Sequence, residues 1–429
     1  MSLSRFRYGF RTLILEFKFK NMKKRFIGLT FFLISILTFC QKTNPELTKY
    51  VDFLEKQNVS AKDYVLGLFK KYDIVILCER QHTETTQYDL IYDIVSSPYF
   101  HKNVGNIFTE VGSYSNRQNT LNFIKTKFSN DSLKQIKQAE IYRNGFFPNN
   151  WLNTNFYDFT GKLNSLNSTL KNKKQINLFT SGSMNPSIDE RNDEKGMRKY
   201  VLANYVKRDS LMASYVIKTL DSLNKYSSKK KALVIMNYRH AFSKSYTKDR
   251  NVGDYLFKKY KGKTANVYIN YLASLNKVDE RDKEKGKMFQ GPEQVPIQNG
   301  KWDASFKLAK KENVGFDFKN SPFGKDNFDI WQATKTDDKY EDVFTGFVYY
   351  LPLDKQVNSS GVKNFFINAD FQQFINDWNL FDKVTRKSEP RIYSKELENG
   401  YKKDFETIRI RKYTDLEKYQ EIINQWLKN

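Results

Sequence analysis

The stretch Ile74-Val75-Ile76-Leu77-Cys78-Glu79-Arg80-Gln81-His82-Thr83-Glu84 turns from apolar to ionisable within a few residues. The whole chain has only three histidines, so one of them three residues after a glutamate invites a chemical reading. An imidazole can take and return protons near neutral pH, and a neighbouring carboxylate can orient its tautomer. Two other stretches end the same way: "NIFTE" stops at Glu110, and "LVIMNYRH" runs through Asn237 to His240. Taken singly, Glu79 and His82 could cap a following helix. Their joint occurrence with Glu110 and His240 favours proton-transfer chemistry. The third histidine, His101, follows "SSPYF" just ahead of an apolar run and is expected on the surface at the opposite edge.

These residues need a scaffold that brings distant stretches to one rim. Five short apolar runs, "YDIVILC", "VGNIFTE", "QINLFTS", "KALVIMN" and "TANVYINYL", lie between residues 72 and 272 and show little alternation. Such runs suit strands buried on both faces. Between them are segments of helical spacing: Leu90, Ile91, Ile94 and Val95; Leu121, Ile124 and Phe128; Leu211, Met212, Tyr215, Val216 and Leu220. The pattern predicts an α/β fold with a mainly parallel central sheet flanked by helices, and with additional C-terminal strands and helices. Ligands of such a sheet collect outside the carboxyl ends of its strands, which is where Glu79, His82, Glu110, Asn237 and His240 fall.

Four segments are expected along the chain. Residues 1–40 form a leader: from Met22 a basic start precedes a 14-residue apolar run, residues 26–39, short for a membrane span and suited to a secretory signal. It ends at Cys40, a candidate for lipid attachment, with ordinary cleavage nearby as the alternative. Residues 41–276 form the α/β core, and residues 277–302, rich in charge with Gly and Pro, form an exposed loop. Residues 303–429 supply strands, including "DVFTGFVYYLPL", and helices that pack on the core. In the last helix Thr414 and Glu417 are spaced as a capping box, with Leu416, Tyr419, Ile423 and Trp426 along one face.

Composition narrows the function classes. The net charge is +24, and removing residues 1–39, with eight Lys/Arg and one Glu, leaves about +17. The lysines are scattered among acidic residues without a nucleic-acid module, so no nucleic-acid partner is expected and a basic surface facing anionic lipid is. Two cysteines, Cys40 and Cys78, give no disulfide framework. Cys78, at a strand end, is expected to be a small buried hydrophobe and not a nucleophile. No Gly-x-Ser-x-Gly elbow is present; "TSGSMNP" reads as a turn bordering the rim.

In order and spacing the motifs resemble the superfamily of erythromycin esterase-like proteins, ChaN-like haem-binding lipoproteins and TraB/TIKI-type proteins. The likeness is carried by Cys78-Glu79-Arg80-Gln81-His82, Glu110 in "FTEVG", Arg208-Asp209-Ser210-Leu211-Met212-Ala213, Asn237-Tyr238-Arg239-His240 and the following "NVGDYLFKKYKGKTANVYIN". It covers roughly residues 70 to 272. Cys78 and Asn237 stand where the family, or some of its branches, has glycine, and a side chain at 78 would narrow the approach to the site.

The resemblance implies a hydrolase acting on a small-molecule or peptide substrate, and the leader with Cys40 adds the expectation that it is exported and lipid-anchored in the cell envelope, or periplasmic. His82 would be the general base, Glu79 or Glu110 would hold its ring, and Arg208 or His240 would stabilise the oxyanion of an ester or amide. It also implies two cofactor alternatives: a divalent metal held by His82, His240 and Glu110, or, as in ChaN-like proteins, haem. A catalytically inactive envelope lipoprotein is the remaining expectation.

Overall fold

A computed structural model describes residues 44–145, 152–204, 207–246, 250–276, 292–330, 336–386 and 388–428. The expected leader with Cys40 and residues 277–291 of the expected loop lie outside the described residues. Among the described residues no helix is long and apolar enough to cross a membrane.

The five apolar runs fold as β1 (Ile74–Glu79), β2 (Asn106–Ser113), β3 (Asn177–Gly182), β4 (Ala232–Asn237) and β5 (Thr264–Ile269). Every residue of β1, β4 and β5 is buried, which is why these strands lack a polar alternation. A hairpin of β6 (Leu272–Asn276) and β7 (Pro292–Pro296) follows, then β8 (Asn313–Asp317) and β9 (Gly346–Tyr350). A small ribbon pairs β10 (Asn358–Ser360) with β11 (Arg409–Arg411).

The central sheet has seven strands in the order β3-β2-β4-β1-β5-β9-β8. All neighbours are parallel except the antiparallel pair β8 and β9. From β1 the chain crosses outward to β2 and β3, returns to place β4 beside β1, then continues to β5 on the other flank. The order therefore reverses around β1, and the crevice at such a reversal is where loops from several strands converge.

Side-chain alternation divides the core into two layers. Ile74, Ile76 and Cys78 join Phe108, Val234 and Met236 under helices Pro45–Glu55, Arg208–Tyr226, Val252–Lys259 and Lys301–Leu308. Val75 and Leu77 join Ile107, Leu233 and Ile235 under helices Ala61–Leu68, Thr86–Val95, Arg117–Lys125 and Thr154–Thr169. Each aliphatic side chain so buried stabilises the fold by roughly 1.5–3 kcal/mol relative to exposure.

Several local expectations change. His101 is buried, 7% exposed, on helix Pro98–Asn103, whose Phe100 packs into the core against Phe69. Phe128 lies beyond the end of helix Arg117–Lys125. The last helix, Leu416–Gln425, starts after Asp415 and makes no side-chain cap bond, so the Thr414/Glu417 spacing forms no capping box; its Tyr419 and Ile423 are nevertheless buried. Within the stretch expected as exposed loop, Pro292–Pro296 is paired as β7, and Trp302 is buried with its indole N–H donating to Asp326 Oδ2. The strand β8 was hidden by its brevity and by Gly315; its partner β9 pairs it onto the sheet. Cys78 points into the core between Met236 and Tyr268, so it does not narrow the rim.

Candidate active site

Alternation along the strands sends their last residues to opposite faces. Glu79 follows Val75 and Leu77 in phase and meets Tyr88, whose hydroxyl donates to Glu79 Oε1 at 2.8 Å. Glu110 follows Phe108 in phase, toward helix Arg208–Tyr226. At Glu110 the register of β2 against β3 breaks: Thr109 pairs with Thr180, yet Ser113 pairs with Gly182. Such a bulge re-aims side chains at a rim. The close fit needs Gly182, where a Cβ would fall 2.6 Å from the Glu110 carbonyl oxygen.

The loop after β1 is tied down before it delivers His82. Arg80, fully buried, turns inward and donates to the Asn270 carbonyl (2.7 Å), Asn270 Oδ1 (2.7 Å), Glu84 Oε2 (2.9 Å) and the Tyr350 carbonyl. It thus fastens the exits of β1, β5 and β9 to one another. Asn237 Nδ2 donates to the Arg80 carbonyl, adding the exit of β4. Asn155 Nδ2 donates to the carbonyls of His82 and Glu84 at 2.8 and 2.9 Å. Of the four residues that end "IVILCERQH", Arg80 serves the scaffold, Gln81 is exposed, and Glu79 and His82 serve the rim.

There the ionisable groups form a chain. Glu79 Oε2 is 2.7 Å from His82 Nδ1, and His82 Nε2 is 3.6 Å from Glu110 Oε1. The same Oε1 is 3.3 Å from His240 Nε2, and His240 Nδ1 is 2.8 Å from Asp209 Oδ2. Arg208 Nη2 donates to Glu110 Oε1 at 2.6 Å, while the Asn237 backbone N–H donates to Oε2 at 3.0 Å. Two imidazoles therefore flank one carboxylate, and each has a second carboxylate on its other nitrogen. All five residues singled out from the sequence meet here: Glu79, His82, Glu110, Arg208 and His240. His101 does not. Asp209 and Tyr88 are additional members; Asp209 was within the quoted Arg-Asp motif, and Tyr88 had no signal beyond its helical spacing.

The cluster is partly exposed. The side chains of His82, Arg208 and Asp209 are 19, 23 and 23% exposed, whereas Glu79 and Glu110 are sealed. Burial alone would lower the His82 pKa, but the charges of Glu79 and Glu110 outweigh it and push it up to about 10. His240 is likewise raised, burial being overcome by Glu110 and Asp209. Burial works to raise Glu110, yet His240, Arg208 and His82 hold its carboxyl well below the usual range. His82 thus rests as an imidazolium at neutral pH, and the same carboxylate biases His240 toward its protonated form. Cys78 is no nucleophile here, since burial raises its thiol pKa well above the ordinary value.

A metal ion on His82, Glu110 and His240 does not fit this arrangement. The Arg208 guanidinium already binds Glu110 Oε1 and stands 3.4 Å from His240 Nε2, so a metal would have to displace a permanent cation. Among the described residues no group of three or more His, Cys, Asp or Glu is arranged as a metal site.

No family model matches the chain, and no curated protein matches it. Among solved structures it is similar to a protein from Bacillus cereus, at 11% identity and TM-score 0.43, over 71% of this chain and 97% of that one. It is similar to an erythromycin esterase variant in its open conformation, at 9% identity and TM-score 0.43, over 69% and 95%. It is also similar to ChaN of Campylobacter jejuni, solved with cofacially bound haem, at 14% identity and TM-score 0.30, over 55% and 92%. Two of these carry names that the motifs had suggested; at such identities the likeness transfers no residue role.

Proposed function

We propose that this protein is a hydrolase that activates water against the carbonyl of an ester or amide. The observation that carries the reading is the His82–Glu110–His240 arrangement, with Arg208 on Glu110 and the His82 side chain partly exposed. In its deprotonated form His82 takes a proton from water at Nε2, while Glu79 holds the proton on Nδ1. The hydroxide adds to the carbonyl carbon, and the oxygen that gains the negative charge is met by Arg208 and His240. When the tetrahedral intermediate collapses, the leaving alkoxide or amine receives the proton from His82, giving a carboxylic acid and an alcohol or amine. Because His82 rests as an imidazolium, the reaction is favoured on the alkaline side.

The test is product analysis by mass spectrometry on a panel of carboxylic esters, lactones and peptides. The wild type is expected to hydrolyse at least one ester, and a folded His82→Gln protein to lose on the order of a hundredfold to ten-thousandfold in rate. Full turnover by that variant would refute the scheme. The proposal includes export and lipid attachment at Cys40, supported by the basic start and the 14-residue apolar run before it. A Cys40→Ser chain should leave the membrane fraction; retention there would count against the anchor.

A further inference from the structure

A cavity of about 290 Å³ opens between helix Lys301–Leu308, the end of β9 and the last helix. It shares no residue with the histidine cluster. Its inner wall is aromatic: Phe306 and Tyr349 stack with ring centres 3.9 Å apart and planes 6° from parallel, beside Leu353 and Ile423. One polar group is set into that wall. Asp303, 8% exposed, accepts a hydrogen bond from the Tyr349 hydroxyl at 3.1 Å. Burial pushes its carboxyl up to about 7, so it is partly neutral under ordinary conditions and can then also donate a hydrogen bond.

The mouth is cationic. Lys307, Lys310, Lys311 and Lys355 border it, against Glu312 and Asp354, so positive charge is in excess even with Asp303 ionised. Lys355 is paired with Glu312 at 2.6 Å. Among the described residues Lys307 and Lys311 bond to neutral oxygens, those of Asn424, the Gln57 carbonyl and Asn58, and to no carboxylate. Lys310 adopts a left-handed backbone, φ 53°, just past the end of its helix, a position that glycine fills with less strain. A lysine there sets one more ammonium at the opening.

We propose that this cavity is a binding site for a small organic anion, a carboxylate, sulfonate or phosphate group carried on a flat apolar body. The body lies against the Phe306–Tyr349 stack, a polar atom on its inner end meets Asp303, and the anionic group remains at the lysine mouth. The size is near the lower end for ligand pockets, which suits a compact ligand.

The test uses anilinonaphthalene sulfonate as probe, followed by fluorescence titration and by equilibrium dialysis for stoichiometry. One equivalent should bind per chain, more tightly at low salt, while naphthalene without the sulfonate binds more weakly. A Lys307→Glu/Lys310→Glu double variant should weaken binding by about tenfold or more, and His82→Gln should leave it unchanged. Lys310→Gly guards against misfolding as the explanation, since it removes the cation and relieves the left-handed backbone: it should weaken the probe without lowering the melting temperature. Unchanged affinity in both lysine variants would overturn the proposal, as would loss of binding in His82→Gln, which would assign the probe to the histidine cluster.

Discussion

Replacing Glu110 by Gln keeps an acceptor for the Asn237 N–H and removes the negative charge that both imidazoles face. At about 4 Å and an effective dielectric of about 20, a pair of unit charges interacts by about 4 kcal/mol, equivalent to about three pKa units. Nε2 of His82 is 3.6 Å from the carboxylate, so an effect of that order applies, reduced by solvent reaching a side chain that is 19% exposed. The His82 pKa, about 10 in the wild type, should therefore fall by about two units or more in Glu110→Gln. His240 should move in the same direction. With only three histidines in the chain, the imidazole C–H signals can be followed one by one by NMR titration. His101, which burial lowers and which does not touch Glu110, serves as internal control. A wild-type His82 titrating near the ordinary value of about 6.5, or an unchanged His82 in the variant, would refute the coupling described here.

The same shift makes stability depend on pH. A raised native pKa stabilises fully below the unfolded value of about 6.5 and is lost as pH rises through about 10, so the melting temperature should decline across that window, and less so in Glu110→Gln. Arg80→Met should destabilise the protein by about 3–5 kcal/mol in denaturant titrations, because it leaves the fully buried Glu84 without its cation; a loss below about 1 kcal/mol would show that the hub is dispensable. At Gly253 a Cβ would fall 2.3 Å from the Phe242 carbonyl and 2.7 Å from that of Ala241, the segment that carries His240. Gly253→Ala should therefore lower stability by about 1–3 kcal/mol and turnover with it, whereas equal activity at equal stability would contradict the close packing. Cys78→Ala should retain turnover, and thiol reagents should label Cys78 only after unfolding.

Much of this was legible in the chain because burial on both faces erases alternation: "IVILC", "LVIMN" and "ANVYI" read as inner strands, and the first polar residue after each run marks the rim. The rim rule then placed Glu79, Glu110 and His240 at one edge without knowledge of strand order. What remained hidden depends on partners far along the chain. Arg80 stands between Glu79 and His82 in sequence, yet its side chain turns inward because the exits of β5 and β9 offer it carbonyls. His101 is expected on the surface, yet its helix is drawn into the core through Phe100. β8, short and carrying a glycine, is a strand only because β9 pairs with it. The bulge that aims Glu110 has no local signature, since it arises from a mismatch between two strands about seventy residues apart in sequence.

Whether His82 activates water is decided by the pH dependence of kcat/KM for the best ester found, in the wild type and in His82→Gln. The wild-type rate should climb with pH on a limb set well above the ordinary imidazole value, and the variant should lose both the limb and the rate. A wild-type profile that is flat or falls above neutrality, or a variant that keeps the limb, would contradict that role.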